Sequence, residues 1–223
     1  GNILDRNSLK LATSIETDYS LKSQMVGIKL SNEKKPVKRV YRLGEIGGSI
    51  LGYIGADGYG LGGAEFLFDN YLRGEDGWII LQKDGRNHKY RKIGLPVKEP
   101  RKGYDVVLTI DSKIQKIVHA ALKKTVTALN AKGGMCIVMD PNTGKVFAMA
   151  NEPSFDPNYA SRYPLNQRKN KCISYVYEPG STFKLVTAAA ALQEQYFKED
   201  DLLYGDNGVF RIYDQMIRDH SPF

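Results

Sequence analysis

Cysteine and histidine are scarce in this sequence: its 223 residues include two cysteines, Cys136 and Cys172, and three histidines. Two cysteines make neither a disulfide framework nor a four-cysteine metal site, and their spacing leaves open whether they pair. The histidines, at positions 88, 119 and 220, do not have the spacing of metal ligands. The sequence therefore argues against a zinc enzyme, and we predict no metal site.

Long hydrophobic runs are also absent. No stretch approaches the ~18 consecutive apolar residues of a membrane-spanning helix, and the longest candidates, such as residues 186–192, are much shorter. The sequence has no signal-peptide pattern. It begins at Gly1 rather than at a methionine, which we interpret as a trimmed sequence.

Charge is unevenly distributed along the chain. The net charge is +7, and most of the excess of lysine and arginine lies in residues 34–42 and 83–102. Two interpretations are open: an anionic neighbour such as a membrane surface or an acidic polymer, or a solvated hairpin face without a partner. No pattern typical of a nucleic-acid-binding module accompanies the basic residues, so we predict no nucleic-acid partner.

The first half of the chain has the pattern of short strands and turns. Residues 78–83 and 89–93 favour strands, and the four residues between them, which include Asp84-Gly85, are typical of a hairpin turn. Residues 95–103 contain two prolines and several basic residues, which is typical of a connector.

The pattern changes after residue 103. A capping-box pattern, Ser112 with Gln115, predicts the start of an amphipathic helix over residues 112–130. The neighbouring segments predict strands at 105–110, 134–139 and 145–150, the last two joined as a hairpin.

The segment that begins at Ser181 predicts a different kind of helix. Its residues are apolar on all sides, which is typical of a helix that is buried all round. Lys184 is the one charge in its first turn, and burial generally lowers the pKa of a lysine, so that its neutral amine can act as a base. Residues three apart lie on one helix face, and the helix N-terminus favours developing negative charge. The pattern indicates a serine nucleophile activated by a lysine, with Gly180 leaving room for a substrate carbonyl.

The alternative is an ordinary helix start, in which Ser181 caps the helix and Lys184 extends to solvent. The bare S-x-x-K spacing is not specific, because Ser31 and Lys34 match it too. We interpret that second match as chance, since Ser31 lies in a polar stretch with no apolar helix after it.

Several stretches resemble the class B penicillin-binding proteins, the transpeptidases that cross-link peptidoglycan. Residues 177–184, YEPGSTFK, resemble the motif that carries the family's active-site serine. Residues 1–12 resemble the R-G-x-I-x-D-R-N-G-x-x-L-A motif, without its Arg and with Ser8 in place of Gly. Further similarity, in the family's order, lies in residues 38–41 (KRVY), 51–77, 107–111 (VLTID) and 134–151.

The resemblance implies an α+β fold in two parts. Residues 1–103 would form a β-rich pedestal of the dimerisation type, with a head region that is much shorter than the family usually has. Residues 104–223 would form the N-terminal part of the transpeptidase domain, an antiparallel sheet with a buried central helix.

The resemblance also implies the chemistry. Ser181 would be the nucleophile that is acylated by a D-Ala-D-Ala stem peptide or by a β-lactam, Lys184 its general base, and the Ser181 N–H one donor of the oxyanion hole. No cofactor is implied. The parent protein would be anchored in the cell membrane by a segment absent here, with its catalytic domain on the outer side. Its implied partners are stem peptides and a membrane glycan polymerase.

Two further motifs of the family, S-x-N and K-T-G, occur nowhere in the 223 residues. We therefore expect this chain to be inactive on its own. Two other functions are open: a β-lactam sensor or serine β-lactamase, which the pedestal-like residues 1–103 argue against, and a non-catalytic scaffold whose pedestal binds a partner.

Overall fold

A computed structural model describes residues 1–16, 37–79, 81–83, 85–86, 89–91, 97–198 and 200–219. The chain divides into two compact units, Gly1–Tyr175 and Val176–Phe223, and each is described by itself. Among the described residues, no helix is both long enough and apolar enough to cross a membrane. The predicted division at residues 103 and 104 stays a prediction.

Helices and strands are mixed along the described chain, as in an α+β fold. The strands are β1 (Ile3–Leu4), β2 (Lys10–Glu16), β3 (Val37–Tyr41), β4 (Trp78–Ile79), β5 (Leu81–Lys83), β6 (Lys89–Arg91), β7 (Val97–Lys98), β8 (Val106–Val107), β9 (Gly134–Met139), β10 (Val146–Glu152), β11 (Val209–Ile212) and β12 (Gln215–Arg218). The α-helices are α1 (Gly48–Leu51), α2 (Gly63–Leu67), α3 (Asp69–Leu72), α4 (Ser112–Ala128), α5 (Leu165–Arg168), α6 (Lys171–Ser174) and α7 (Lys184–Gln193). Short 3-10 helices occupy Gly44–Ile46, Pro157–Arg162, Gly180–Phe183 and Asp206–Gly208.

The first unit contains a sheet in which its opening strands pair with a strand from the middle of the unit. Its order is β3-β2-β1-β8, antiparallel between β1, β2 and β3, and parallel where Ile3 pairs with Val106. Ile3, Leu11 and Tyr41 contribute to the buried core beside it. The opening residues and those that follow residue 103 are therefore held in one sheet.

Two of the stretches that carry the family resemblance are joined by a buried ion pair. The Arg39 Nε lies 2.7 Å from the Glu65 Oε1, and both side chains are almost fully buried. Tyr41 lies beside this pair, and burial, followed by the Glu65 charge, raises the pKa of its hydroxyl. Residues 38–41 and the helix α2 are thus fixed to each other by charge as well as by packing.

The predicted hairpin of the first half is confirmed by the pairing of β5 with β6. Leu81 pairs with Arg91, and Lys83 pairs with Lys89. The predicted extension of the second strand to residue 93 lies outside the described residues, as does the part of the first basic cluster before residue 37.

The helix and the hairpin predicted after residue 103 are also confirmed. The helix α4 packs on the antiparallel pair of β9 and β10. Gly134 allows a close approach of β9 to α4, because a Cβ at this position would come within 2.9 Å of the Leu122 and Val126 side chains.

The capping box predicted for this helix is wrong. Asp111, not Ser112, caps α4, because its carboxylate accepts hydrogen bonds from the backbone N–H groups of Lys113 and Ile114. Gln115 does not reach back to the helix start. Its side chain is fully buried and bonds to other parts of the unit, which removes it from the cap.

Asp5 joins the turn after β1 to the start of α4. Its buried carboxylate accepts hydrogen bonds from the backbone N–H groups of Asn7 (2.8 Å), Leu9 (2.9 Å) and Ser112 (3.3 Å). Burial acts to raise the pKa of Asp5, but hydrogen bonds from Leu9, Ser112 and Asn7 outweigh it, and the pKa lies below its usual value. The charged form therefore stabilises the folded state.

We expect Asp5→Asn to lower the free energy of unfolding by about 2 kcal/mol or more at pH 7, because the amide replaces an acceptor with a donor facing N–H groups. Since the folded pKa is depressed, this contribution is complete above the unfolded pKa of about 4 and is lost as the pH falls toward the folded pKa. Urea unfolding at pH 7 and about pH 2.5 should show the gap between wild type and variant shrinking at acid pH.

The matched control is Asp57→Asn, since Asp57 is exposed and accepts one local N–H, from Tyr59. This change should cost less than about 1 kcal/mol at either pH. A gap for Asp5→Asn that is the same at both values would contradict the assignment.

The second unit contains the turn at Gly180–Phe183, α7, and the antiparallel hairpin of β11 with β12. In this hairpin Val209 pairs with Arg218, and Ile212 pairs with Gln215.

Candidate active site

Ser181 lies in the 3-10 turn Gly180–Phe183, which leads directly into α7. The backbone N–H and the hydroxyl of Thr182 both donate to the carbonyl of Pro179, at 3.3 and 2.6 Å. The single helix predicted from Ser181 onward therefore starts as a tighter turn and becomes an α-helix at Lys184.

Gly180 precedes Ser181 in a left-handed backbone conformation, with φ of +56°. A Cβ at this position would meet no atom within 4 Å, so crowding does not explain the glycine. The backbone conformation does, because L-residues with a Cβ adopt it only at a cost of about 1–2 kcal/mol. The glycine sets the direction in which the chain enters the turn that presents Ser181.

Ser181 and Lys184 lie on the same face of this turn. In a 3-10 helix, side chains three residues apart are eclipsed, and the Lys184 N–H donates to the Ser181 carbonyl. Both side chains are exposed. Within the described part of the chain, no hydrogen bond joins the Ser181 Oγ to the Lys184 Nζ, and neither atom has another polar partner. The structure thus places the two predicted residues side by side without a direct bond.

The helix α7 is exposed in the described residues. None of the residues of α7 is buried, and the side chains of Leu185 and Val186 are 76% and 57% exposed. A helix that is apolar on all sides needs covering elements on every side, and the described residues do not supply them.

The backbone at Ser181 has the polarity that the predicted chemistry needs. Its N–H lies in the first turn, where N–H groups have no carbonyl partner within the helix. Such groups stabilise an oxyanion that forms beside them. A hydroxyl, an amine on the same face and a free N–H are the components of serine acyl transfer.

Among the described residues, no group of three or more His, Cys, Asp or Glu is placed to hold a metal ion.

Cys172 belongs to α6, in the first unit, and its thiol is used for anchoring. Its Sγ donates to the Asn151 Oδ1 at 3.0 Å and to the Ala150 carbonyl at 3.4 Å. Burial raises the pKa of this thiol, which disfavours the nucleophilic thiolate. Cys136 is also a free cysteine. The serine at position 181 is therefore the better nucleophile candidate.

Comparisons with known proteins place this chain in a family. A model of the penicillin binding protein transpeptidase domain matches residues 134–222. The peptidoglycan D,D-transpeptidase FtsI of Escherichia coli is 33% identical over 208 residues, which cover 92% of this chain and 34% of the relative. The stage V sporulation protein D of Bacillus subtilis is 30% identical in an alignment 249 positions long. This alignment covers 87% of this chain and 38% of the relative.

Solved structures give the same result. The crystal structure of penicillin binding protein 3 from Mycobacterium tuberculosis, in its apo form, matches with a TM-score of 0.77 and 28% identity, covering 100% of this chain and 43% of that one. The same protein complexed with ampicillin matches with a TM-score of 0.78.

An α+β fold with a transpeptidase domain that contains the S-x-x-K turn defines the penicillin-binding class of serine acyl-transfer proteins. The chain belongs to the class B penicillin-binding proteins. It spans about a third of the length of the curated relatives it matches.

Proposed function

We propose that the protein that carries this chain is a serine D,D-transpeptidase that cross-links peptidoglycan, with Ser181 as nucleophile and Lys184 as general base. The observation that supports this most directly is the turn itself. Ser181 follows the left-handed Gly180, its N–H lies in the first turn, and Lys184 is eclipsed with it. The turn also lies inside the stretch matched by the transpeptidase domain.

The reaction follows from these groups. The Ser181 Oγ attacks the carbonyl of the penultimate D-Ala, while the neutral Lys184 amine takes the hydroxyl proton. The backbone N–H of Ser181 stabilises the tetrahedral oxyanion. The C–N bond then breaks, the terminal D-Ala leaves with a proton, and an acyl ester remains on Ser181. The amine of a neighbouring stem peptide attacks this ester, forms the cross-link and returns the hydroxyl to the serine.

β-Lactams are proposed as inhibitors of the same site. The relative from Mycobacterium tuberculosis has been crystallised with aztreonam and with ampicillin, which supports this proposal. Attack of the Ser181 Oγ on the lactam carbonyl opens the ring, and the leaving nitrogen stays tethered to the acyl group. We propose further that the protein is membrane-anchored with its catalytic region outside the membrane, and that it acts with a membrane glycan polymerase.

Peptide mass spectrometry of the penicillin-treated protein tests the proposal. Trypsin releases residues 172–184, a peptide that contains both Ser174 and Ser181, so the fragment ions must locate the adduct. We expect the penicilloyl mass on Ser181 alone. An adduct on Ser174, or on another peptide, would contradict the assignment of the nucleophile.

A further inference from the structure

One side-chain amide in the first unit binds the backbone of a distant strand. The Tyr41 N–H donates to the Asn158 Oδ1 at 3.0 Å, and the Asn158 Nδ2 donates to the Tyr41 carbonyl at 2.9 Å. The Asp156 Oδ1 accepts from the same Nδ2 at 2.8 Å and fixes the orientation of the amide. Asn158 thus satisfies both backbone groups of Tyr41, at the end of β3, as a neighbouring strand would.

Aromatic contacts hold the same two segments together. Phe155 is fully buried, and its ring meets that of Tyr53 edge-on, with the ring centroids 6.0 Å apart. The Arg168 guanidinium lies over the Tyr53 ring, 5.4 Å from its centroid, and its Nη1 donates to the Tyr53 hydroxyl at 3.3 Å. We call these five residues, Tyr41, Tyr53, Phe155, Asn158 and Arg168, the clamp.

In sequence, the clamp is followed by α6 and then by the turn that carries Ser181. After Arg168 the chain enters α6, which is anchored on β10: the Asn151 Nδ2 donates to the Lys169 carbonyl at 3.3 Å, and Asn151 also accepts from the Cys172 thiol. The first unit ends at Tyr175. The clamp and the α6 anchor therefore fix the last residues of the first unit, which precede the Ser181 turn in sequence.

We propose that Asn158 is a positioning residue for acylation. Because Asn158 ties residues 154–168 to the Tyr41 backbone, the position of the last residues of the first unit depends on the conformation of residues 41–53. The coupling between residues 41–53 and the last residues of the first unit is inferred from that unit alone. Its effect on the acylation rate rests on the proposed function. A misplacement of about 1 Å, even by a mutation far from the chemistry, can cost a rate factor of about 10².

Hydrogen exchange on the 223-residue chain tests the coupling without any catalysis. In Asn158→Ala the Tyr41 amide loses its acceptor, and we expect it to exchange at least about 10-fold faster. The amides of Ser174 and Tyr175, which donate to the Asn170 and Lys171 carbonyls in α6, should also exchange faster. If the Tyr41 amide opens while the α6 amides keep their wild-type rates, the coupling does not exist.

Internal and matched controls are present in the chain. The Arg42 amide, which donates to the Leu11 carbonyl, should be unchanged in Asn158→Ala. Asn142→Ala, in the exposed turn between β9 and β10, should leave all of these amides unchanged. Faster exchange throughout the unit would indicate that Asn158→Ala unfolds, and Tyr53→Phe then decides the proposal in its place.

Acylation kinetics on the intact protein test the consequence. The final stoichiometry of penicillin labelling reports the folded fraction, and the rate constant reports positioning. For Asn158→Ala we expect full stoichiometry with a rate constant at least about 10-fold lower. Asn158→Asp should be similarly slow, because its charge faces the Asp156 carboxylate, whereas a residue that only fills space would tolerate this isosteric change. Loss of stoichiometry at an unchanged rate constant would overturn the proposal.

A milder variant covers the case in which Asn158→Ala fails to fold. Tyr53→Phe removes only the acceptor for Arg168 and keeps the ring against Phe155, so we expect a rate about 2- to 10-fold lower. Tyr59→Phe is the matched control, since Tyr59 also lies under an arginine, Arg73, but outside the clamp. Equal rates for both variants would contradict the role of the clamp. If penicillin does not label Ser181 in the wild type, the proposed function fails, and hydrogen exchange still decides the coupling.

Discussion

Covalent labelling by fluorescent penicillin should be lost when Ser181 is replaced by alanine in the intact protein that carries this sequence. The alanine has no nucleophilic oxygen, so no acyl ester can form, whatever the rest of the site still binds. The Ser181 side chain is exposed in the described structure, and the substitution removes only its hydroxyl, so the variant should fold. Gel fluorescence measures the labelling, and a thermal melt of the same samples measures whether the variant is folded.

Two serines serve as controls for this result. Ser174→Ala changes the other serine of the same tryptic peptide, whose hydroxyl donates to the Asn170 carbonyl at 2.7 Å, and should label to full stoichiometry. Ser31→Ala changes the second S-x-x-K match, which lies outside the described residues, and should label at the wild-type rate. Labelling that survives Ser181→Ala would exclude Ser181 as the nucleophile.

Replacing Lys184 should produce the second largest loss. A general base contributes about 10²–10⁴ in rate, so we expect Lys184→Met to slow acylation by about 10³. Lys184→Arg should be nearly as slow, because a guanidinium stays protonated and cannot accept the serine proton. The acylation rate constant, taken from the time course of labelling, distinguishes the two variants from wild type.

Lys198→Met provides the control for charge, since Lys198 is an exposed lysine of the same unit. It should acylate at the wild-type rate. A rapid Lys184→Arg variant beside a slow Lys184→Met variant would mean that the site needs positive charge at this position and no proton acceptor. The assignment of Lys184 as base would then be wrong.

Local patterns predicted the elements of the fold better than their ends. The spacing of apolar residues identified α4 and the hairpin of β9 with β10, because side chains on one face of these elements pack against each other. The cap of α4 was misassigned because Asp111 and Ser112 are both good cap residues and lie next to each other in sequence. The Gln115 side chain does not bond to the helix start, because it forms hydrogen bonds with the backbone of Ile46 and Met149.

The sequence predicts which residues form the candidate site, but it does not predict which elements surround them. Ser181 and Lys184 could be named because their spacing and the residues around them carry the signal. The composition of α7 predicts a helix that needs covering elements on every side, but it does not predict which elements supply them. The conformation of Gly180 is local, yet its left-handed φ became evident only from the backbone.

The contacts that tie distant parts of the first unit together had no signal in the sequence. Gln115 donates to the Ile46 carbonyl at 2.7 Å and exchanges two hydrogen bonds with the Met149 backbone. Asn158 and Tyr41 are likewise far apart along the chain. Helix and strand periodicity cannot predict such pairs, because the tertiary fold and not any single element determines how far apart they lie in sequence.

These amide contacts have a consequence for how the family can change. Gln115 and Asn158 bind backbone atoms, so the side chains at positions 41, 46 and 149 are free to be replaced without losing the hydrogen bonds. The two amides should therefore be retained in relatives without correlated substitutions at the positions they bind, and covariation between sequences would miss these links. It also follows that a graft of residues 37–53 from a relative needs Arg39 and Tyr53 within the graft, Gln115 and Asn158 in this chain, and an unchanged backbone course.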